Sequence, residues 1–229
     1  MLSSLLKRSE RPFLLLVFLI GALCASADDS ARSVKTIADG VDRRYNSMQS
    51  LETGFTESYR GPGVIRQESG TLWLKKPGRM RWEYREPKPK LFVSDGKTAW
   101  FYVPGEPEVR KAAVKNLEDL RSPLRYLLGK TKLLKEFDGL TLDPDAKPVV
   151  AGNVVLRGVP KAMPYRVSQV LLEITPQYEI QRIVIGEVDG SETEFHFSGQ
   201  KQNLPLAENR FKFNPPSGVE VVDAPELSQ

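Results

Sequence analysis

The decisive stretch reads Gly70-Thr71-Leu72-Trp73-Leu74-Lys75-Lys76-Pro77-Gly78-Arg79-Met80-Arg81-Trp82-Glu83-Tyr84. After a break holding Pro87 and Pro89 it continues Leu91-Phe92-Val93-Ser94-Asp95-Gly96-Lys97-Thr98-Ala99-Trp100-Phe101-Tyr102-Val103-Pro104. All three tryptophans of the chain lie here. Side chains on a strand alternate between two faces, so Leu72 and Leu74 share one face and Trp73 takes the other. In the next run Met80, Trp82 and Tyr84 oppose Arg79, Arg81, Glu83 and Arg85. Lys76-Pro77-Gly78 and Ser94-Asp95-Gly96-Lys97 carry turn chemistry, so the stretch predicts four consecutive antiparallel strands. Aromatics stand at alternating positions and no catalytic group stands among them. A sheet face that meets apolar material is the expectation.

Working outward, residues 53–59 alternate around Phe55, and Arg60-Gly61-Pro62-Gly63 turns the chain. Upstream, Val34, Ile37, Val41, Tyr45 and Met48 recur at helical spacing between charged residues, predicting an amphipathic helix from 31 to about 50. Its apolar stripe either packs into a core or caps an apolar cavity. Downstream, Leu117, Leu120, Leu124, Leu127 and Leu128 form a second helical face, with Ser122-Pro123 as a start signal and Gly129 as a stop. Residues 132–137 read as irregular. Strands are expected again over 149–158, 167–174, 180–188, 193–202 and 219–222, with Asp189-Gly190 as a hairpin turn. The sum is a mainly β (α+β) fold: an incomplete antiparallel β-barrel of about ten to eleven strands, closed by helices over a hydrophobic cavity.

The N-terminus predicts export. Lys7, Arg8 and Arg11 precede an eleven-residue apolar run over 13–23, too short for a comfortable bilayer span, and Ala25-Ser26-Ala27 supplies a cleavage pattern. Cleavage after Ala27 leaves residues 28–229 as a single domain, since no long linker or internal repeat divides them. It also removes Cys24, the one cysteine, whose neighbour Leu23 is too large for lipoprotein processing. Losing Lys7, Arg8, Arg11 and Glu10 lowers the formal charge from +4 to +2. That balance gives no argument for nucleic acid.

Little points to catalysis. His196 is the single histidine, so a multi-histidine metal site or histidine triad lacks partners, and no metal or cofactor is expected. It alternates with Phe195 and Phe197, which predicts a solvent-facing strand residue. Gly96-Lys97-Thr98 and Gly129-Lys130-Thr131 lack the earlier glycine of a phosphate loop: Leu91 and Leu124 stand there. Carboxylates are scattered, and a pair assembled only by folding stays open. The basic face Arg79, Arg81, Arg85 reads as a solvated sheet surface, with a docking surface for an acidic partner as the alternative.

Three motifs resemble one family. Gly70, Leu72, Trp73, Lys75, Lys76, Pro77 and Trp82 form the first. Ser94-Asp95-Gly96-Lys97 with Trp100 and Tyr102 forms the second. Phe211, Phe213, Pro215, Pro216, Gly218 and Val219 form the third. Together, in this order behind an export signal, they resemble LolA, the family of periplasmic carriers of outer-membrane lipoproteins. The resemblance implies an incomplete barrel closed by helices and a monomer that is not an enzyme. Its implied cargo is triacylated lipoproteins, accepted from an inner-membrane ATP-driven (ABC-type) transporter and delivered to an outer-membrane receptor lipoprotein. Many members carry Arg just before the motif proline, where it helps hold the lid closed. Lys76 stands there in this chain and is the expected lid-control residue, without the planar fork of donors.

Met80, Trp82, Tyr84, Trp100 and Tyr102, with Val41, Tyr45 and Met48 of the helix, are the expected acyl-chain wall. The sheet residues are wide, apolar and adaptable. The residues alone serve equally for an ordinary filled core, and the resemblance favours the wall. The Trp82 face, rather than the Leu72 face, is the one assigned to the cavity. Rival readings are a half-barrel that senses lipids or lipoproteins, and a secreted hydrolase with a carboxylate pair.

Overall fold

The computed structural model describes residues 26–114, 125–129 and 131–224. Residues 1–25 of the expected export signal and most of the second leucine-rich helical face, including Leu117, Leu120 and Leu124, lie outside the described residues. Helix α1 (Ser26–Ser47) begins earlier and ends sooner than its periodicity suggested, because Ser50 already opens the first strand. Among the described residues two short helices follow later, α2 (Arg125–Leu128) and α3 (Leu133–Glu136).

Strands β1 (Ser50–Gly61), β2 (Val64–Lys75), β3 (Arg79–Glu86), β4 (Lys90–Asp95), β5 (Thr98–Tyr102) and β6 (Glu108–Ala113) form one meander. A second comprises β7 (Phe137–Leu142), β8 (Val154–Pro160), β9 (Val167–Ile174), β10 (Ile180–Glu187) and β11 (Glu192–Gln202). β12 (Glu220–Asp223) adds itself in parallel to β6. The meanders join where β1 pairs with β11, giving one open twelve-stranded sheet in the order β12-β6-β5-β4-β3-β2-β1-β11-β10-β9-β8-β7. Its other pairings are antiparallel.

Three differences from the expected strands have local causes. β6 was missed because only Val109 and Ala112 are buried in a charged segment. β7 was missed because Asp138-Gly139 mimics a turn, whereas here it falls in a register shift between Asp138 and Thr141. The strand expected from 149 begins at Val154. The backbone N–H groups of Val149 and Val150 donate instead to the buried carboxylate of Glu173, at 3.0 and 3.1 Å.

One apolar cluster joins Ala99 and Ala112 at one flank of the sheet with Phe137 and Leu156 at the other, and all share it with α1. The cluster runs continuously across the strands between them, and α1 packs against the β7 flank. The face turned to α1 is the inner face. A smaller cluster of Trp73, Leu206 and Phe211 lies on the outer face, where the 3₁₀ turn Glu208–Phe211 packs.

Candidate functional site

The inner face is built from adjacent strands in fixed register. Leu72 pairs with Trp82 and Leu74 with Met80, so these four side chains stand side by side on one face. The Leu72 face and the Trp82 face are therefore the same face, and the choice between them does not arise. Phe92 continues the row from Trp82, and Phe101 continues it from Phe92. Phe55 meets the Trp82 ring edge-on at 4.6 Å and the Tyr84 ring at 4.9 Å.

Helix α1 lays Val34, Ala38, Val41 and Tyr45 into the same cluster, and Met48, just past its last residue, joins them. The four helical positions advance by four, three and four residues, which keeps them on one stripe. Met80, Trp82, Val41, Tyr45 and Met48 are thus brought together, with Tyr84 against their edge. Trp100 and Tyr102 are not. Trp100 pairs with Val93, which pairs with Arg81, a row on the outer face. Both rings pack instead on Phe213, at 5.7 and 5.8 Å. Their membership of the expected wall is corrected: alternation placed them on a face of β5 but did not reveal which face turns inward.

The basic outer face is also less solvated than its alternation suggested. Residues 204–213 cover part of it. Lys75 donates to the Leu206 carbonyl at 2.6 Å and pairs with Glu208 at 2.6 Å. Arg79 reaches Glu208 at 3.2 Å, and Arg81 donates to the Arg210 carbonyl at 3.3 Å. The Arg210 guanidinium lies over the Trp73 ring at 4.6 Å. His196 turns away from Phe195 and Phe197 and stands 2.8 Å from Glu194.

Polar bonds tie α1 to its surroundings. The Tyr45 hydroxyl donates to Gln200 Oε1 at 3.0 Å and accepts from the Ile180 N–H at 2.9 Å. Burial pushes its ionisation well above the ordinary tyrosine value, so it stays a neutral crosslink. Lys76 Nζ donates to the carbonyls of Tyr45 and Asn46, at 2.7 and 2.9 Å. A cation thus sits on the carbonyl end of α1, where the helix dipole favours positive charge. Gly129, at φ +71°, closes α2 against the same spot. A Cβ there would collide with the Tyr45 carbonyl oxygen and lie 2.8 Å from Lys76 Nζ.

Two further side chains, Asn46 and Asp42, join α1 to the α2–α3 segment. Asn46 exchanges side-chain hydrogen bonds with the backbone of Thr131, at 2.9 and 3.1 Å. Asp42 accepts from the Thr131 hydroxyl at 3.1 Å and from the Leu133 N–H at 3.2 Å. Burial raises its carboxyl above the usual range despite those bonds.

A group that sequence reasoning missed occupies one end of the inner face. Glu57 and Glu68 are register partners across β1 and β2, and Tyr84 pairs with Lys90 across β3 and β4. Lys90 Nζ stands 2.6 Å from the buried Glu68 carboxylate and 4.4 Å from the centre of the Tyr84 ring. Tyr84 donates its hydroxyl to Glu57 Oε2 at 2.8 Å. Burial first, and then repulsion from Glu68, raise the Glu57 carboxyl above its ordinary value. The signal that marks the group is a charge at an alternating position otherwise held by apolar side chains: Glu57 follows Phe55, and Glu68 precedes Leu72 and Leu74. These two carboxylates are a pair assembled by folding, but each is bound by neighbours of its own, Glu68 by Lys90 and Arg66, Glu57 by Tyr84. Among the described residues no group of three or more His, Cys, Asp or Glu could hold a metal ion.

The class defined by this geometry is an open, mostly antiparallel sheet with an amphipathic helix packed on its apolar inner face, which is graded toward a charged end. The sequence model described as outer membrane lipoprotein carrier protein LolA matches residues 46–214, and the chain belongs to that family. An outer-membrane lipoprotein carrier protein of Nitrosospira multiformis is 30% identical over 162 residues, covering 69% of this chain and 74% of its own length. A protein of the same description from Alkalilimnicola ehrlichii is 29% identical over 210 residues, covering 89% and 92%. The crystal structure of the lipoprotein LppX of Mycobacterium tuberculosis aligns with a TM-score of 0.51 at 13% identity, over 78% of this chain and 99% of that one, a likeness of fold. Among the described residues no helix is long and apolar enough to cross a membrane.

Proposed function

We propose that the chain, after cleavage behind Ala27, is a periplasmic carrier of triacylated lipoproteins. As a monomer it accepts them from an inner-membrane ATP-driven transporter and delivers them to an outer-membrane receptor lipoprotein. Each methylene withdrawn from water is worth about 0.8 kcal/mol, so several long acyl chains are held from water by tens of kcal/mol. Such cargo crosses an aqueous space only inside a dry enclosure. Met80, Trp82 and Tyr84 form the wall on the sheet side. Val41, Tyr45 and Met48 form the wall on the helix side, and separation of α1 from the sheet opens a hydrophobic cavity between them.

The observation that carries this reading is how the apolar inner face is covered. Its cover is a helix held near its C-terminal end by discrete polar bonds, from Asp42, Asn46 and Lys76. Such bonds are individually weak enough to break and reform during loading. Lys76 acts as the latch, because it grips the last carbonyls of α1 beside Gly129. No catalytic step is proposed, and the chain supplies no energy source of its own.

The test is purification of the native protein from the periplasm, followed by mass spectrometry of what it holds. Triacylated N-terminal peptides are the expected cargo. Protein that comes away empty, and that fails to extract lipoprotein from transporter-bearing vesicles, refutes the reading.

A further inference from the structure

The inner face is graded along its strands. On β3 the order is Tyr84, Trp82, Met80, and on β2 it is Glu68, Gly70, Leu72, Leu74. One end holds the Glu57, Glu68, Lys90 and Tyr84 group; the other holds Leu51, Leu74 and Met80, with the Ser94 hydroxyl beside Met80 turned onto the Gly78 carbonyl at 3.3 Å. Trp82 stands at the boundary. It is 4% exposed, and its indole Nε1 is a buried donor with no hydrogen-bond partner. Its ring neighbours Phe55, Tyr84 and Phe195 present aromatic rings. By contrast, the buried Trp73 on the outer face donates its Nε1 to Glu52 at 2.8 Å. A buried donor left without an acceptor is uncommon in folded proteins and calls for an explanation.

We infer that the Trp82 indole N–H is a ligand-binding donor: it anchors a carbonyl oxygen of an acyl linkage, ester or amide, at the point where the fatty tails of the cargo meet its polar end. An acylated cysteine has that same grading. Its tails are apolar, its linkages carry acceptors but no strong charge, and its peptide is polar. Aligned on this face, the tails lie toward Met80 and Leu74, the linkage lies at Trp82, and the peptide leaves past Tyr84 and Lys90. The fit also supplies orientation, which hydrocarbon contact alone does not, since burial is non-directional. A single carbonyl bond of this kind makes about a tenfold difference in affinity. The inference rests on the carrier reading and adds which atom of the cargo is recognised.

The experiment uses three synthetic lipopeptides with equal chain lengths. One is triacylated with two esters and one amide. In the second, ethers replace the esters. The third keeps the esters and replaces the N-acyl group with an alkyl ether of the same chain length, which removes the amide carbonyl and keeps the tail. Affinities are measured for the full mature protein and for Trp82→Phe, which keeps an aromatic ring and loses the donor. The native protein is expected to bind the first about tenfold more tightly than whichever analogue lacks the recognised carbonyl, and Trp82→Phe is expected to erase that preference. Weaker binding of the second analogue assigns an ester carbonyl, and weaker binding of the third assigns the amide carbonyl.

A second readout needs no variant for its measurement. The ¹⁵N–¹H indole resonance of Trp82, assigned by its absence in Trp82→Phe, moves downfield with the matching lipopeptide and stays in place with the analogue. Equal affinity for all three, or an indole resonance that ignores the carbonyl, overturns the inference and leaves the carrier reading intact. Binding to none of the three overturns both.

Discussion

Lys76→Met is the most informative perturbation of the latch. Methionine keeps a flexible apolar stem and removes the cation. Two charge-assisted hydrogen bonds disappear, at 2.7 Å to the Tyr45 carbonyl and 2.9 Å to the Asn46 carbonyl. Hydrogen bonds to charged groups contribute about 1.5–3 kcal/mol when buried. Lys76 is only partly buried, so the low half of that range applies to the pair together. About 2 kcal/mol includes the lost interaction with the helix dipole. It corresponds to roughly a thirtyfold rise in the population with the carbonyl end of α1 released. Native-state hydrogen exchange reads that population directly through the amides of residues 41–47, which should exchange about thirtyfold faster in Lys76→Met. Lys76→Arg should leave them protected at least as well as the native residue, since a planar fork of donors can serve both carbonyls. Exchange in Lys76→Met within twofold of native, at unchanged global stability, would refute the latch.

Three further outcomes are expected. Tyr45→Phe leaves the buried Ile180 N–H without its acceptor and should lower stability by about 1–3 kcal/mol, measured by urea unfolding. Gly129→Ala forces a side chain onto a left-handed backbone and against the Tyr45 carbonyl; a loss of about 1–3 kcal/mol is expected, and a neutral result would place α2 away from α1. Glu57 gives a pH signature. Its folded carboxyl titrates above the ordinary 4.5, so above that pH the folded state still holds a proton the unfolded state has lost. Stability from this group is full below 4.5 and falls as pH rises through the folded value. Glu57→Gln should therefore gain on the native protein as pH climbs from below 4.5 through the folded value in paired urea titrations, and a constant difference would contradict the assignment.

The sequence by itself determined the local elements and the family. The stripe Val34, Val41, Tyr45, Met48 specified α1, and the alternation around Leu72 and Trp82 specified β2 and β3. Three motifs in order, from Gly70 to Trp82, from Ser94 to Tyr102 and from Phe211 to Val219, behind an export signal, marked the LolA resemblance. Alternation states that a strand has two faces, but it carries no information about which one turns inward. Only the tertiary structure set Leu72 beside Trp82 and sent Trp100 and Tyr102 outward onto Phe213. It also covered part of the Arg79 and Arg81 face with residues 204–213, from more than a hundred positions away. The same limit hid the Glu57, Glu68, Tyr84, Lys90 group. Each charge looked like an ordinary surface residue until four strands came into register and closed over them. Secondary structure follows from local sterics and spacing, whereas register, facing and burial are properties of pairs distant in the chain.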